Sequence, residues 1–138
     1  MKLLFLLAAD YANVADGGKL NVMGIFQEIK AVTFPARHSS MHLVIKLAAE
    51  LGEYGDTRTL NVKLRDPDGN EIMSISGAIN IPKSSSGRVP EVNTILQIKD
   101  LIFPKPGPYQ FVVLVDKDYK GDLPLFVIKM EPDKNSEE

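Results

Sequence analysis

The sequence predicts an all-β protein, built as an antiparallel β-sandwich of about eight strands. Three observations carry this prediction. Apolar and polar residues alternate with a period of two through the middle of the chain, as in strands with one buried face. Turns rich in glycine and proline separate the alternating runs at short intervals. No helical periodicity extends over ten or more residues, so we expect one β-sandwich domain at 1–131 and a polar C-terminal tail at 132–138.

The alternation is clearest at 57–65, where Leu60, Val62 and Leu64 share one face. The segment Asp66-Pro67-Asp68-Gly69 follows, and it predicts a hairpin turn because proline presets φ and glycine accepts a positive φ. Residues 41–49 alternate in the same way, with His42, Val44 and Lys46 on the outer side. The remaining predicted strands are 2–14, 19–33, 73–81, 92–98, 109–115 and 123–130.

The first residues pose a choice between a cleaved leader and a strand. The apolar run Leu3–Ala9 has seven residues and follows a single lysine, which is short for the core of a secretion signal. Asp10 stands where a cleavage site needs small neutral residues. We therefore expect an uncleaved first strand and a cytoplasmic protein.

Composition excludes several classes of function. The formal net charge is −2, so no general electrostatic attraction to nucleic acid or anionic lipid is expected. The chain has no cysteine, which removes thiolate nucleophiles and zinc–thiolate sites. No apolar run approaches the roughly 18 residues needed to span a membrane. We expect neither nucleic acid nor a membrane among the partners.

Several turn-and-strand segments carry a family resemblance. The segment Pro106–Val113 (PGPYQFVV) resembles the entry to a late strand of immunoglobulin-like bacterial sandwiches, where a tyrosine hydroxyl ties a loop to the sheet. Tyr109 is therefore expected to be a loop anchor. With GGKLNVMGIFQEI (17–29), FPARHSSMHLVIKL (34–47), LRDPDGNEI (64–72) and the rest of 106–127, the chain resembles a family of functionally uncharacterised small bacterial proteins. The resemblance implies a compact β-sandwich, immunoglobulin-like or C2-like, with no catalytic residues to transfer.

The candidates for catalysis or metal binding are few. His38 and His42 are the two histidines, and no third ligand lies nearby, whereas a catalytic zinc needs about three. They are expected to be ordinary surface residues. The sequence has no Gly-x-Ser-x-Gly elbow, Walker A motif or Gly-x-Gly-x-x-Gly fingerprint. We expect no enzyme activity, no cofactor and no metal site.

Two acidic turns keep a second hypothesis open, a ligand-binding sandwich of calcium or carbohydrate type. One turn contains Asp66, Asp68 and Glu71, and the other contains Asp116, Asp118 and Asp122. Calcium requires six to eight oxygen ligands, yet alternating strand directions would put these turns at opposite ends of the sandwich. The absence of tryptophan weakens a carbohydrate platform, because sugars stack on large aromatic faces.

The first, seventh and eighth predicted strands do not alternate cleanly, and this carries the main functional hypothesis. Asp10, Gln110 and Lys129 suggest which face of each strand points outward. Six aliphatic residues share those faces: Leu4, Leu6, Val112, Leu114, Leu125 and Val127. Exposed together, they would form an apolar patch unusual for a monomer, unless a loop such as the Ser-rich segment at 84–86 or the C-terminal tail covers them, or the register is off by one. The sequence thus favours a non-enzymatic protein-binding or assembly module, self-associating or docking on a partner through an apolar strand face.

Overall fold

A computed structural model describes residues 1–83 and 87–132 of the 138-residue chain. They form nine strands and, within these ranges, no helix long and apolar enough to cross a membrane. The strands are β1 (Lys2–Val14), β2 (Leu20–Ile25), β3 (Glu28–Ala31), β4 (Ala36–Ala48), β5 (Thr57–Arg65), β6 (Glu71–Asn80), β7 (Glu91–Phe103), β8 (Gly107–Val115) and β9 (Asp118–Lys129).

The strands form two sheets that pack face to face. Sheet A has the order β2-β1-β4-β7, and sheet B has the order β3-β9-β8-β5-β6 and curls into a half-barrel. The all-β, two-sheet prediction is confirmed. The expectation of a wholly antiparallel arrangement is wrong at one place, because β3 pairs with β9 in parallel.

The core lies between the sheets and is built by alternation. On β4, Met41, Leu43, Ile45 and Leu47 are all fully buried. Sheet B contributes inward side chains of β5 and β8, among them Leu64, Phe111 and Val113. Burial stabilises such residues by about 25 cal/mol for each Å² of apolar surface removed from water. Because successive side chains of a strand point to opposite faces, every second residue joins this layer.

The predicted strand at 19–33 is two strands in different sheets. The Phe26 N–H donates to the Ala8 carbonyl of sheet A at 2.9 Å, whereas the Gln27 carbonyl accepts from the Phe126 N–H of sheet B at 2.8 Å. The chain therefore crosses between the sheets at this dipeptide, with a bend at Gln27. This crossing raises the strand count from eight to nine.

Strands β4 and β7 are longer than predicted because their alternation changes phase. Ala36 pairs with Phe103 and Met41 pairs with Ile98, and all four residues are buried. Strict alternation could not bury both Ala36 and Met41, because residues five positions apart on a strand point to opposite faces. Between these pairs, Asp100 adopts a φ of 54°. The alternation of buried and exposed residues shifts by one position in both strands at this place. The two strands therefore stay paired, although the apolar alternation in the sequence is interrupted.

Tyr109 anchors a loop, as predicted. Its hydroxyl donates to the Lys105 carbonyl at 2.7 Å and accepts from the Lys105 N–H at 3.3 Å. Its ring is buried against Phe103, with the ring centroids 5.0 Å apart and the planes nearly perpendicular. The β7–β8 loop is thereby fixed to the core.

The two long sides of the sandwich differ. On one side β1 packs against β9. A Cβ added to Gly121 would lie 2.4 Å from Cδ2 of Leu3, so the absence of a side chain at Gly121 leaves room for the Leu3 side chain. On the other side β6 and β7 face each other across a crevice of about 140 Å³, lined by residues that include Ile75, Thr94 and Leu96. Within the described ranges, no strand covers the outer edge of β6 or β7.

Candidate interaction surface

The six residues predicted to form an apolar patch do not lie together on the surface. Leu6, Leu125 and Val127 belong to the core cluster between the sheets, and Leu125 is 0% exposed. Val112 and Leu114 face outward on β8, whereas Leu4 lies on β1 in the other sheet and is 43% exposed. The predicted patch is therefore wrong as a single exposed surface.

On β1 the error has two causes. The pairing of β1 with β4 shifts register between Leu3 and Phe5, so Leu4 and Leu6 do not share a simple alternation. Asp10 does continue the alternation of Leu6 and Ala8, and those two residues face the core. Asp10 is exposed although it has this parity, and Ala12, the next residue on the same side, is buried again, so the charge of Asp10 does not mark the outer face.

Lys129 gives the same false indication on β9. It shares the parity of Leu125 and Val127, which face the core, and is exposed at the last residue of the strand. The outward positions belong to Phe126 and Ile128, both exposed. The predicted register of β9 is thus wrong by one residue.

On β8 the predicted outer face is confirmed, but its central residue is covered. Val112 lies between Lys63 of β5 and Asp122 of β9 in one row across sheet B. Because sheet B curls, the outer face is concave here, and Val112 is only 3% exposed. The Ser-rich segment considered as a cover, 84–86, and residues 133–138 of the tail lie outside the described residues.

A contiguous apolar area of the described chain lies instead on the outer face of sheet A. Its middle row runs from Leu7 on β1 through Val44 on β4 to Ile95 on β7. None of the three belongs to the core cluster, and Val44 is fully buried because the other two flank it. Residues around this row complete the face: Phe5, Tyr11, Met23, Ile25, His42 and Lys46.

Contacts across the outer face of sheet A fix its polar members. The Lys46 ammonium lies 5.8 Å from the centre of the Phe5 ring and 2.9 Å from the Glu91 carboxylate. His42 is buried, its ring centroid is 5.1 Å from that of Tyr11, and its Nδ1 lies 3.2 Å from the Asp10 carbonyl. Lys46 and His42 are therefore held by contacts within the chain, and the centre of the face is apolar.

At the β2 end, the outer face of sheet A is open to solvent. Met23 is 64% and Ile25 is 59% exposed, and they pair with Tyr11 and Ala9 of β1. An apolar centre with a polar rim is the composition of many protein–protein contact surfaces. The predicted outer positions of His42, Val44 and Lys46 are confirmed, so the alternation of β4 indicated the contribution of this one strand to the face.

The two histidines cannot share a ligand, because the phase change in β4 separates them. His38 pairs with Leu101 on the core side and lies against Phe26, with 5.7 Å between ring centroids. His42 lies on the outer face and is buried, and His38 is partly buried, so neither is the ordinary surface residue that the sequence predicts. Within residues 1–83 and 87–132, no group of three or more His, Asp or Glu side chains could hold a metal ion.

The acidic turns lie at opposite ends of β5, as the strand directions predicted. At the far end, Asp66 accepts hydrogen bonds from the Asn70 and Asp68 N–H groups at 2.8 and 2.9 Å. The bond from Asn70 is the main cause of a lowered pKa for the Asp66 carboxyl. At the near end, Asp116 accepts from the Thr59 N–H at 2.9 Å. These carboxylates stabilise turns.

A polar groove of about 720 Å³ occupies the concave outer face of sheet B. Asn61 lies in it, and its Nδ2 donates to the hydroxyls of Ser74 and Ser76. Its Oδ1 is buried and has no hydrogen-bond partner within the described part of the chain. Leu114 supplies an apolar wall, and the other lining residues are Thr59, Lys63, Glu71, Asp116 and Lys117.

These features define a class: a two-sheet, all-β protein with one apolar sheet face, one polar groove and open strand edges. The chain belongs to DUF6941, a family of unknown function, whose model matches residues 4–128. A comparison with curated proteins finds no match.

Two solved structures resemble the fold. One is the β-glucosidase from Listeria innocua in complex with isofagomine, with 9% identity, a TM-score of 0.51, and coverage of 92% of this chain and 16% of that chain. The other is the Pseudomonas fluorescens alkylpurine DNA glycosylase AlkC bound to DNA containing an abasic site analog, with 10% identity, a TM-score of 0.47, and coverage of 89% and 30%. This chain therefore spans less than a third of either protein, and the likeness concerns the fold alone.

Proposed function

We propose that this protein is a non-enzymatic assembly module that self-associates through sheet A. The observation that carries the proposal is the apolar row Leu7–Val44–Ile95, which crosses the outer face of sheet A and ends at its open edge. The part of this row that a single chain leaves accessible at the edge, on Ile95, is stabilised when a second copy removes it from water.

A second copy is the occupant favoured by the place where the row ends. Ile95 lies on β7, the edge strand of sheet A, so an added copy would continue both the sheet and the apolar row. A different protein docking on the face is the main competing occupant, and the experiment below separates the two. The net charge of −2 gives no support to nucleic acid or an anionic membrane as the partner.

The surroundings of the histidines support the non-enzymatic part of the proposal. His38 lies against the Phe26 ring, and the His42 ring contacts Tyr11 and the Asp10 backbone carbonyl. Neither contact supplies a nucleophile for the imidazole to activate. The proposal requires no cofactor.

The proposal also covers fold type and location. We take the sandwich to be immunoglobulin-like, and the loop anchor Tyr109 supports this because such tyrosines occur at a corner of that fold. A cytoplasmic location is supported by the absence of cysteine.

Light scattering coupled to size exclusion on the tag-free chain tests the proposal. We expect a mass of at least twice 15.2 kDa that persists on dilution, and a shift toward monomer for Ile95→Lys. Phe126→Lys is the matched control, because Phe126 is an exposed apolar residue on sheet B. A monomer at every concentration would contradict self-association, and a monomer that binds another protein through sheet A would point to the competing occupant.

The groove on sheet B supports a second candidate function, binding of a small hydroxylated ligand such as a carbohydrate. The specific observation is the unpaired, buried Asn61 Oδ1 beside two serine hydroxyls, since a buried acceptor without a partner is costly. We expect a carbohydrate of the right shape to raise the melting temperature of the wild type but not of Asn61→Leu. A glycan panel without any stabilising member would remove this candidate.

A further inference from the structure

Strand β7 is the longest open edge in the described molecule. It contains thirteen residues and neither glycine nor proline, whereas β2 at the opposite edge of sheet A contains six. The edge strands of sheet B are the four-residue β3 and the glycine-containing β6. Long, regular edge strands offer a row of free backbone groups to which another strand can pair.

The regular part of β7 is shorter than the strand and has defined ends. Pro90 precedes it and has no N–H to donate to a ladder. Asp100 interrupts it with a φ of 54°, outside the extended conformation. Between these residues lies Glu91–Lys99, and its middle residue is Ile95. A second β7 pairing antiparallel over the whole regular part would thus cross the first at Ile95.

The outward side chains of this segment are complementary to themselves about Ile95. Alternation places Glu91, Asn93, Ile95, Gln97 and Lys99 on the outer face of sheet A. In an antiparallel pair of copies centred on Ile95, each Ile95 meets its equivalent and each Asn93 meets Gln97 of the second copy. Each Glu91 then meets Lys99 of the second copy, so opposite charges stand at both ends of the ladder.

This pairing would give partners to two groups that have none within the described part of a single chain, a hydrogen-bond acceptor and a charge. The Asn93 Oδ1 is buried and has no hydrogen-bond partner in the described ranges, and rotation of this side chain toward the open edge would let a Gln97 amide of the second copy donate to it. Lys99 is exposed and makes no ion pair with the described residues, whereas Glu91 of the second copy offers one. Glu91 already contacts Lys46 of its own chain, so it would bridge two cations.

We propose that two copies of this chain join their β7 edges antiparallel around a two-fold axis at Ile95, making one continuous eight-stranded sheet from two copies of sheet A. The proposal rests on the self-association proposed above and specifies its geometry. A two-fold contact of this kind uses the same surface on both copies and is closed after two.

Charge exchange across the two ends of the ladder tests this geometry. Glu91→Lys and Lys99→Glu each place like charges opposite one another, and we expect each to raise the dimer dissociation constant at least about tenfold. The double variant restores opposite charges in the dimer only, and we expect its dissociation constant to return close to that of the wild type. Sedimentation equilibrium gives the constants, and thermal unfolding checks that each variant is folded.

Two comparisons serve as controls for the charge-exchange experiment. Glu91→Lys brings a second cation close to Lys46 whether it is made alone or together with Lys99→Glu, so a recovery in the double variant cannot come from relief inside one chain. Glu28→Lys and Lys30→Glu change exposed charges on β3 of sheet B and should leave the dimer unchanged.

The outcomes separate the two proposals. A wild-type dimer that is insensitive to both single variants, or a double variant that stays dissociated, overturns the pairing at Ile95 and leaves self-association through the face intact. A wild-type chain that is monomeric at all concentrations overturns self-association and the pairing together. Loss of the dimer in both single variants with recovery in the double variant supports the pairing.

Discussion

At the scale of single residues, Met1, the residue before β1, carries a partly buried charge that the fold must balance. The Met1 ammonium donates to Oε1 of Glu53 at 2.8 Å. The same oxygen accepts from the Glu50 N–H at 2.8 Å, and Arg58 lies 3.2 Å from Oε2. Burial opposes the charge on Glu53 and is the largest single influence, but these hydrogen bonds and cations together lower the pKa of its carboxyl.

Glu53→Gln should therefore destabilise the protein by about 1–3 kcal/mol, because the partly buried ammonium loses its charged partner. Glu50→Gln is the matched control, since the Glu50 side chain is 67% exposed and 3.9 Å from the ammonium. Urea unfolding at neutral pH measures both. Equal losses in the two variants would contradict a special role for Glu53.

The lowered pKa of Glu53 fixes the direction in which the free energy of unfolding changes with pH. A carboxyl whose pKa is lower in the folded state stabilises the protein fully above its unfolded pKa, about 4.3 for glutamate. The stabilisation is lost as the pH falls through the lowered folded pKa of Glu53. The free energy of unfolding of Glu53→Gln should fall less steeply over this acid range than that of the wild type.

The two anchors of this fold differ in how far the sequence could predict them. Tyr109 was predictable as a loop anchor because the Pro-Gly turn, the tyrosine and the carbonyl of Lys105 lie within a few residues. The partnership of Met1 with Glu53 joins groups 52 positions apart, and no local pattern announces it. The contact between residues close in the sequence could be predicted, and the contact between distant residues could not.

At the scale of the strand, the question is which face of β9 meets the core. Leu125 is fully buried, and Phe126, the next residue, is 44% exposed. Leu125→Lys should cost more than about 3 kcal/mol, because it buries an unpaired charge among apolar side chains. Phe126→Lys should change stability by less than about 1 kcal/mol, since its side chain reaches water. Chemical denaturation of both variants checks the register, and equal effects would contradict it.

Strands whose ends coincide with the core are predictable from their sequence. The β5–β6 hairpin alternates on both strands apart from a bulge between Leu64 and Arg65, and it carries its own turn, Asp66–Gly69, so its faces are evident. In β1 and β9, exposed polar residues at core-side positions, Asp10 and Lys129, falsely indicate an outer face. The crossing at Phe26 and Gln27 stays hidden in the sequence because both sides of it are extended.

At the scale of the whole molecule, composition and turn spacing are enough to predict two packed sheets, but they do not contain the strand order. Neighbours in sheet A include β1 with β4 and β4 with β7, which are far apart in the chain. Such pairings depend on which apolar faces can be buried together. The outer face of sheet A was not predictable for this reason, because Leu7, Val44 and Ile95 meet only once that order exists.

Strand β4 lies at the centre of sheet A, with β1 on one side and β7 on the other, and four of its residues between Met41 and Leu47 face the core fully buried. Its backbone amides can meet solvent deuterium only when the whole domain opens. Those of the four-residue edge strand β3 need only a local opening.

Native-state hydrogen exchange followed by mass spectrometry or NMR should therefore find the slowest amides in β4, with protection equal to the global free energy of unfolding, and much faster exchange in β3. Similar rates in both strands would contradict this ordering. If the order holds, the exchange rate of β4 gives the global stability of any variant directly, without denaturant and in the presence of whatever this protein binds.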